Sequence, residues 1–170
     1  MKIEQSGYVK LIEGKVLRDI GRASDMAWLS IGNTIKVRNL KGKEVLKGTF
    51  AIHIQCPWRM IDNEKSCILF SSYDMYMPNK VFSQKKDFDW DIQGANLYDE
   101  KVIEWKNRYG DVLIESVYIS SLGDLKMKLS NGHSIEIFIN TSSSEECWRF
   151  FECNTKKKHL VYQGTGSVLQ

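Results

Sequence analysis

The clearest pattern in the chain is strict alternation. Over 49–56, Phe50, Ile52, Ile54 and Cys56 point one way and Thr49, Ala51, His53 and Gln55 the other, as in a half-buried strand. Pro57 brings no ladder donor, so this strand should end, bend or reach an edge there. Met26–Ile31 is a short apolar run closed by Gly32-Asn33, suiting a buried strand. Ile35 and Val37 then alternate with polar neighbours up to a turn at 39–43. After a polar turn at 62–65, Cys67–Phe70 is continuously apolar and predicts a strand buried on both faces. Residues 87–92 alternate again, with Asp87, Asp89 and Asp91 opposite Phe88, Trp90 and Ile92, and predict another strand.

One segment has helical spacing throughout. Tyr8, Ile12, Val16 and Ile20 also recur every four residues, but three glycines interrupt them, leaving a helix or a short helix over 8–13 followed by extended chain. From 97 to 109, Tyr98, Val102, Trp105 and Tyr109 form an apolar stripe, with Ile103 beside it. Asn96 is an N-cap, Asp99 and Glu100 sit at the positive end of the helix dipole, and Gly110 stands at C′.

In the C-terminal third, register can be derived. A two-residue Asn131-Gly132 loop would put the Leu125/Met127/Leu129 and Ile135/Ile137/Ile139 rows on opposite faces. A three-residue loop, Ser130-Asn131-Gly132, pairs Met127 with Ile135 and places Gly132 where the turn needs a left-handed residue. The same logic at Ser121-Leu122-Gly123 sets Ile119 opposite Leu125 and Val117 opposite Met127. Two hairpins of one type therefore predict a three-stranded meander over 112–140, which Trp148, Phe150, Leu160 and Tyr162 continue into two more strands. The fold class expected is α+β: a mainly antiparallel sheet of seven or more strands, with this C-terminal meander and one or two packed helices.

Composition adds bounds. The 170 residues fit one domain, 1–170, large enough to fold without a disulfide or metal. No stretch is apolar enough for a transmembrane helix, and the N-terminus turns polar at once, so no membrane and a cytoplasmic location are expected. Cys56, Cys67, Cys147 and Cys153 lack C-x-x-C spacing and read as reduced core thiols. Net charge is +3 with the signs interspersed; Lys156-Lys157-Lys158 and Lys85-Lys86 are too little for a nucleic-acid surface.

The segment His53-Ile54-Gln55-Cys56-Pro57-Trp58-Arg59 carries the most chemistry. His53 and Cys56 have the types for a zinc half-site or a Cys-His pair, but residues three apart on a strand face opposite ways unless Pro57 bends the chain. On the plainer reading Cys56 packs inward, Trp58 covers the core rim, and His53, Gln55 and Arg59 line a polar face. Trp58 and Arg59 are also types enriched in binding hot spots. Asp74, after a strand, reads as a site carboxylate or a turn residue. The Asp87/Asp89/Asp91 row could gather a hard cation, yet a solvated face explains it more simply. Nucleotide-loop, nucleophile-elbow and zinc-protease motifs are missing, and Gly164-Thr165-Gly166 reads as a flexible tail. No metal or other cofactor is expected.

The 51–59 segment, with Asp25-Met26-Ala27-Trp28-Leu29 before it, resembles small bacterial proteins of unknown function. Glu146-Cys147-Trp148-Arg149-Phe150-Phe151 and His159-Leu160-Val161 resemble the last strands of several such proteins, some of them in toxin–immunity gene neighbourhoods. The resemblance covers about half the chain in scattered pieces. It implies a bacterial cytosolic origin and an immunity-type role, and supplies no site residues. The expected function is non-catalytic protein binding, with a toxin as one partner class and a homodimer through an edge strand as another. The alternative is an enzyme or small-ligand protein with a cleft near His53, Cys56, Arg59 and Asp74.

Overall fold

The computed structural model describes residues 7–170. The N-terminal ambiguity resolves to a short helical turn at Lys10–Ile12 followed by a strand; Met1–Ser6 lie outside the described residues. The strands are β1 (Val16–Ala23), β2 (Met26–Arg38), β3 (Glu44–Ile54), β4 (Trp58–Asp62), β5 (Cys67–Ser71), β6 (Val112–Ile119), β7 (Leu125–Leu129), β8 (His133–Ile137), β9 (Glu146–Glu152), β10 (Leu160–Gln163) and β11 (Gly166–Leu169). The helix α1 (Leu97–Tyr109) lies between β5 and β6 in sequence.

All strand pairs are antiparallel, in the order β11-β10-β9-β3-β2-β1-β6-β7-β8-β4-β5. β1 and β6 meet through two residue pairs, Val16–Leu113 and Leu17–Val112, so the sheet is two blocks joined at a narrow seam. β3 and β4 lie in different blocks, yet only residues 55–57 join them. A flat sheet cannot satisfy both facts; the sheet must curl until its two blocks face each other. Pro57 sits at that crossing: Gln55 N still donates to Cys147 O in β9 (2.8 Å), while Pro57 O accepts from Phe138 N beyond β8 (2.9 Å). Trp148 Nε1 donates to Gly123 O (2.9 Å), tying β9 to the β6–β7 loop.

A single core fills the curl. Leu29, Ile31, Ile52, Ile54 and Phe150 enter from one block and Met60, Ile114, Met127, Ile135 and Ile137 from the other. The meander registers are as derived: Met127 faces Ile135, Ile119 faces Leu125 and Val117 faces Met127, with Gly123 and Gly132 both at positive φ. The two further strands also form, β9 with Trp148 and Phe150 and β10 with Leu160 and Tyr162, but they do not extend this meander. β8 takes β4 as its next neighbour, and β9 crosses to β3, because Trp148 and Phe150 find the complementary apolar row at Ile54 and Ile52. β9, β10 and β11 form a second meander, so the Gly164–Gly166 segment is a hairpin turn rather than a tail.

Other expectations are corrected. β2 does not stop at Gly32-Asn33; a bulge between Ile31 and Thr34 absorbs one residue and the strand runs on to Arg38. β5 is an edge strand exposing Cys67 and Ile68, with Phe70 buried at 1% exposure. Residues 87–92 form turns rather than a strand: Asp89 Oδ1 caps Asp91 N (3.0 Å), and Ile92 is exposed. Local Asx geometry outweighs alternation where no neighbouring strand offers a ladder.

α1 has the expected caps, with Asn96 Oδ1 accepting from Asp99 N (2.8 Å). Tyr98, Val102 and Trp105 are buried on its inner face, whereas Ile103 points to solvent. Its first turn is locked to β1 by a buried ion pair. Arg22 Nε and Nη2 each lie 2.8 Å from one Asp99 carboxylate oxygen, and both side chains are almost fully buried. At the other end, Trp105 Nε1 donates to His133 Nδ1 (2.9 Å).

Candidate functional site

Two faces of β3 follow from its alternation. Ile52 and Ile54 enter the core, while Val45, Lys47, Ala51 and His53 lie on the outer side. Cross-strand pairing builds this outer face into rows. One row runs Gly21–Trp28–His53–Arg149, and the next runs Asp19–Ser30–Ala51–Phe151. Trp28 reaches across β1 because its neighbour is glycine: a Cβ on Gly21 would collide with the indole ring. His53 meets Phe151 edge to face (4.9 Å between centroids), and His159 stacks flat on Phe151 (4.4 Å). Trp28, His53 and Phe151 floor a groove of about 820 Å³.

The groove wall is the end of the β2–β3 hairpin. Beyond the bulge, Thr34–Arg38 pair only with Glu44–Gly48, so this part stands off the sheet as a two-stranded arm. Leu40 at its tip and Leu46 along it are exposed. A second cleft of about 550 Å³ continues beneath the arm, sharing Lys47, Phe151 and Cys153 with the groove and adding Lys36, Val37 and Arg38.

Burial, and then the charge of Arg149, hold the His53 imidazole below its ordinary pKa, and the same two causes lower His159. Arg149 is held by an ion pair to Glu146 and places Nη1 3.2 Å from His159 Nδ1. Both rings are therefore neutral near pH 7, and a ring nitrogen of His159 accepts from Arg149. Half-buried Cys153 has its thiol pKa raised, chiefly by burial.

The sequence-predicted residues separate. His53 lies in the groove. Gln55 and Cys56 line a different hollow of about 300 Å³ with Ser72, Tyr73 and Tyr76. Cys56 itself faces inward, and burial, then the neighbouring Cys147, pushes its thiol up to about 12. Trp58 is wholly in the core, with Phe70 and Tyr98 edge-on at 5.9 Å, rather than at its rim. Arg59 pairs with Glu136 (2.7 Å) and lies over the Phe138 ring (5.1 Å). Burial pushes the Glu136 carboxyl up, but hydrogen bonds from Lys126 and Arg59 more than offset this and hold it low. Asp74 caps the turn at 72–76, accepting from Ser71 N (2.7 Å). Among the described residues, no cluster of three or more His, Cys, Asp or Glu side chains is arranged to hold a metal. Asp91 of the acidic row pairs with Arg22 (3.5 Å).

Reading the sequence locally misses Trp28, Phe151 and the arm. Trp28 sits in an apolar run that reads as buried on both sides, and only the pairing with Gly21 shows where its ring lies. The arm had a visible signal: Lys36, Arg38, Lys41, Lys43 and Lys47 are spread at short intervals rather than in a run. No protein-family model, curated protein sequence or solved structure matches this chain. Among the described residues, no helix is long and apolar enough to cross a membrane.

Proposed function

We propose that this chain is a non-catalytic protein-binding domain acting in the cytoplasm, and that its recognition face is the groove under the β2–β3 arm. An immunity-type role, in which the domain covers and blocks a toxin, is the specific form of this reading. The observation that carries it is the aromatic floor of Trp28, His53 and Phe151 beside an arm exposing Leu40 and Leu46. Large rigid rings beside exposed apolar side chains supply the buried anchors on which protein interfaces depend.

Affinity capture with the full chain, followed by expression of the captured protein alone, tests this. The expected result is a stoichiometric partner that arrests growth by itself and is neutralised by the wild-type chain. Trp28→Ala and Leu46→Asp, with circular dichroism unchanged, should abolish capture and neutralisation together. A partner whose binding ignores both substitutions would remove the groove from the reading, and a partner harmless when expressed alone would remove the immunity role.

One observation favours a second reading, a small apolar ligand: the groove volume of about 820 Å³ falls within the ordinary range for such sites. A co-purifying small molecule found by mass spectrometry after denaturation, and lost in Trp28→Ala, would favour this reading over the first.

A further inference from the structure

The arm carries more positive charge than the whole chain. Residues 32–48 hold Lys36, Arg38, Lys41, Lys43 and Lys47 against the single acid Glu44, a net charge of +4. The complete chain has +3, so the remaining residues sum to −1. All five cations are exposed. None forms an ion pair among the described residues, whereas Lys106, Lys126, Arg59 and Arg149 elsewhere on the surface do. The charge is also placed. Lys36, Arg38 and Lys47 line the cleft under the arm against the one acid Glu44, and Lys47 belongs to the aromatic groove as well, whose carboxylates Asp19 and Asp111 are taken up by Lys106 and Arg18. One continuous channel therefore runs from an apolar end at Met26 and Trp28 to a basic end at Lys36 and Arg38.

We infer that the segment held in this channel is an acidic stretch of a partner protein carrying an apolar anchor. This rests on the proposal that the groove is a protein-binding face and adds the chemistry of the partner. Unpaired cations on one wall attract carboxylates and repel a basic surface, which sets specificity and association rate more than total affinity. The apolar end separates this occupant from nucleic acid. Exposed Leu40 and Leu46 stand among the lysines, where a polyphosphate backbone would meet them without gain, and an apolar side chain would be buried with gain.

The test is fluorescence anisotropy on the full chain with three labelled probes: a short peptide of alternating Glu and Leu, its Lys–Leu counterpart, and an oligothymidylate of equal length. The Glu–Leu peptide should bind most tightly and lose affinity as salt rises. Combined Lys36→Ala, Arg38→Ala and Lys47→Ala, all surface changes checked for folding, should weaken it by roughly tenfold or more at low salt. Equal binding of the two peptides, tighter binding of the oligothymidylate, or no binding of any probe overturns the inference. The two readings fail differently: acid-selective binding that Trp28→Ala leaves unchanged removes the groove, while charge-indifferent binding that Trp28→Ala abolishes keeps the groove and removes the acidic partner.

Discussion

The buried pair Arg22–Asp99 gives the sharpest test of what holds this fold together. Asp99 lies in the first turn of α1, and its carboxylate takes both forks of the Arg22 guanidinium at 2.8 Å as well as Gly94 N at 2.7 Å. Arg22 also donates to Ser24 O (3.1 Å) and Ile92 O (3.2 Å), so one side chain ties β1 to the loop before the helix. Asp99→Ala leaves a guanidinium whose side chain is 1% exposed with Asp91, itself 55% exposed, as its remaining carboxylate partner among the described residues. Removing one partner of such a pair costs about 3–5 kcal/mol, since the remaining charge stays buried without compensation. Against a total stability of about 5–15 kcal/mol this is a large fraction. With a urea m-value of about 2 kcal/mol/M, the midpoint should fall by about 2 M. The double substitution Arg22→Met with Asp99→Leu should recover most of the loss, because neither charge then needs solvation. A midpoint shift in Asp99→Ala below about 0.5 M would refute the reasoning. So would a double variant as unstable as the single, which would assign the cost to packing.

Stability should fall on mild acidification. His53, His133 and His159 all have pKa values lowered from 6.5, in each case first by burial. At His133 the hydrogen bond from the Trp105 indole to Nδ1 must also be lost on protonation there, while Asp62, 3.9 Å from Nε2, opposes the shift. The unfolded chain therefore takes up protons that the folded chain resists, so the histidines' contribution is complete above pH 6.5 and declines as pH falls toward the folded values. Asp62, Glu136 and Glu146, whose pKa values are lowered, extend the loss below about pH 4.5. Urea melts from pH 7.5 to 5 should show the first decline, and a flat profile would contradict it. Thiol labelling should discriminate among the cysteines: exposed Cys67 should react with iodoacetamide first by peptide mass mapping, while Cys56, with its thiol pushed up to about 12, should react only on unfolding. Early modification of Cys56 in the native protein would mean that it is not an inert core thiol.

Some features were legible along the chain because the forces behind them are local. The α1 helix is written in the Asn96 cap, the Tyr98/Val102/Trp105 stripe and Gly110, all within one short segment. The β6–β7–β8 registers follow from matching apolar rows across two turns with glycine at the left-handed position. The inward face of β3, with Phe50, Ile52 and Ile54 buried and Cys56 buried just beyond it, follows from alternation alone. The candidate site is legible only in part: His53 stands out in its strand, while nothing local marks Trp28 and Phe151 as its company.

What only the tertiary structure decided is long-range. Alternation tells which residues share a face and not which strand comes alongside, so β9 joining β3 rather than extending the meander had no local mark. The same gap explains β5, whose apolar run reads as doubly buried until its place at the sheet edge exposes Cys67 and Ile68. It also explains the charge. Averaged over the chain, +3 looks unremarkable, and the five cations matter only because a bulged hairpin carries them clear of the sheet and over the groove. Local spacing specifies elements through backbone geometry and caps; which face is covered and which is left open depends on the pairing of distant strands.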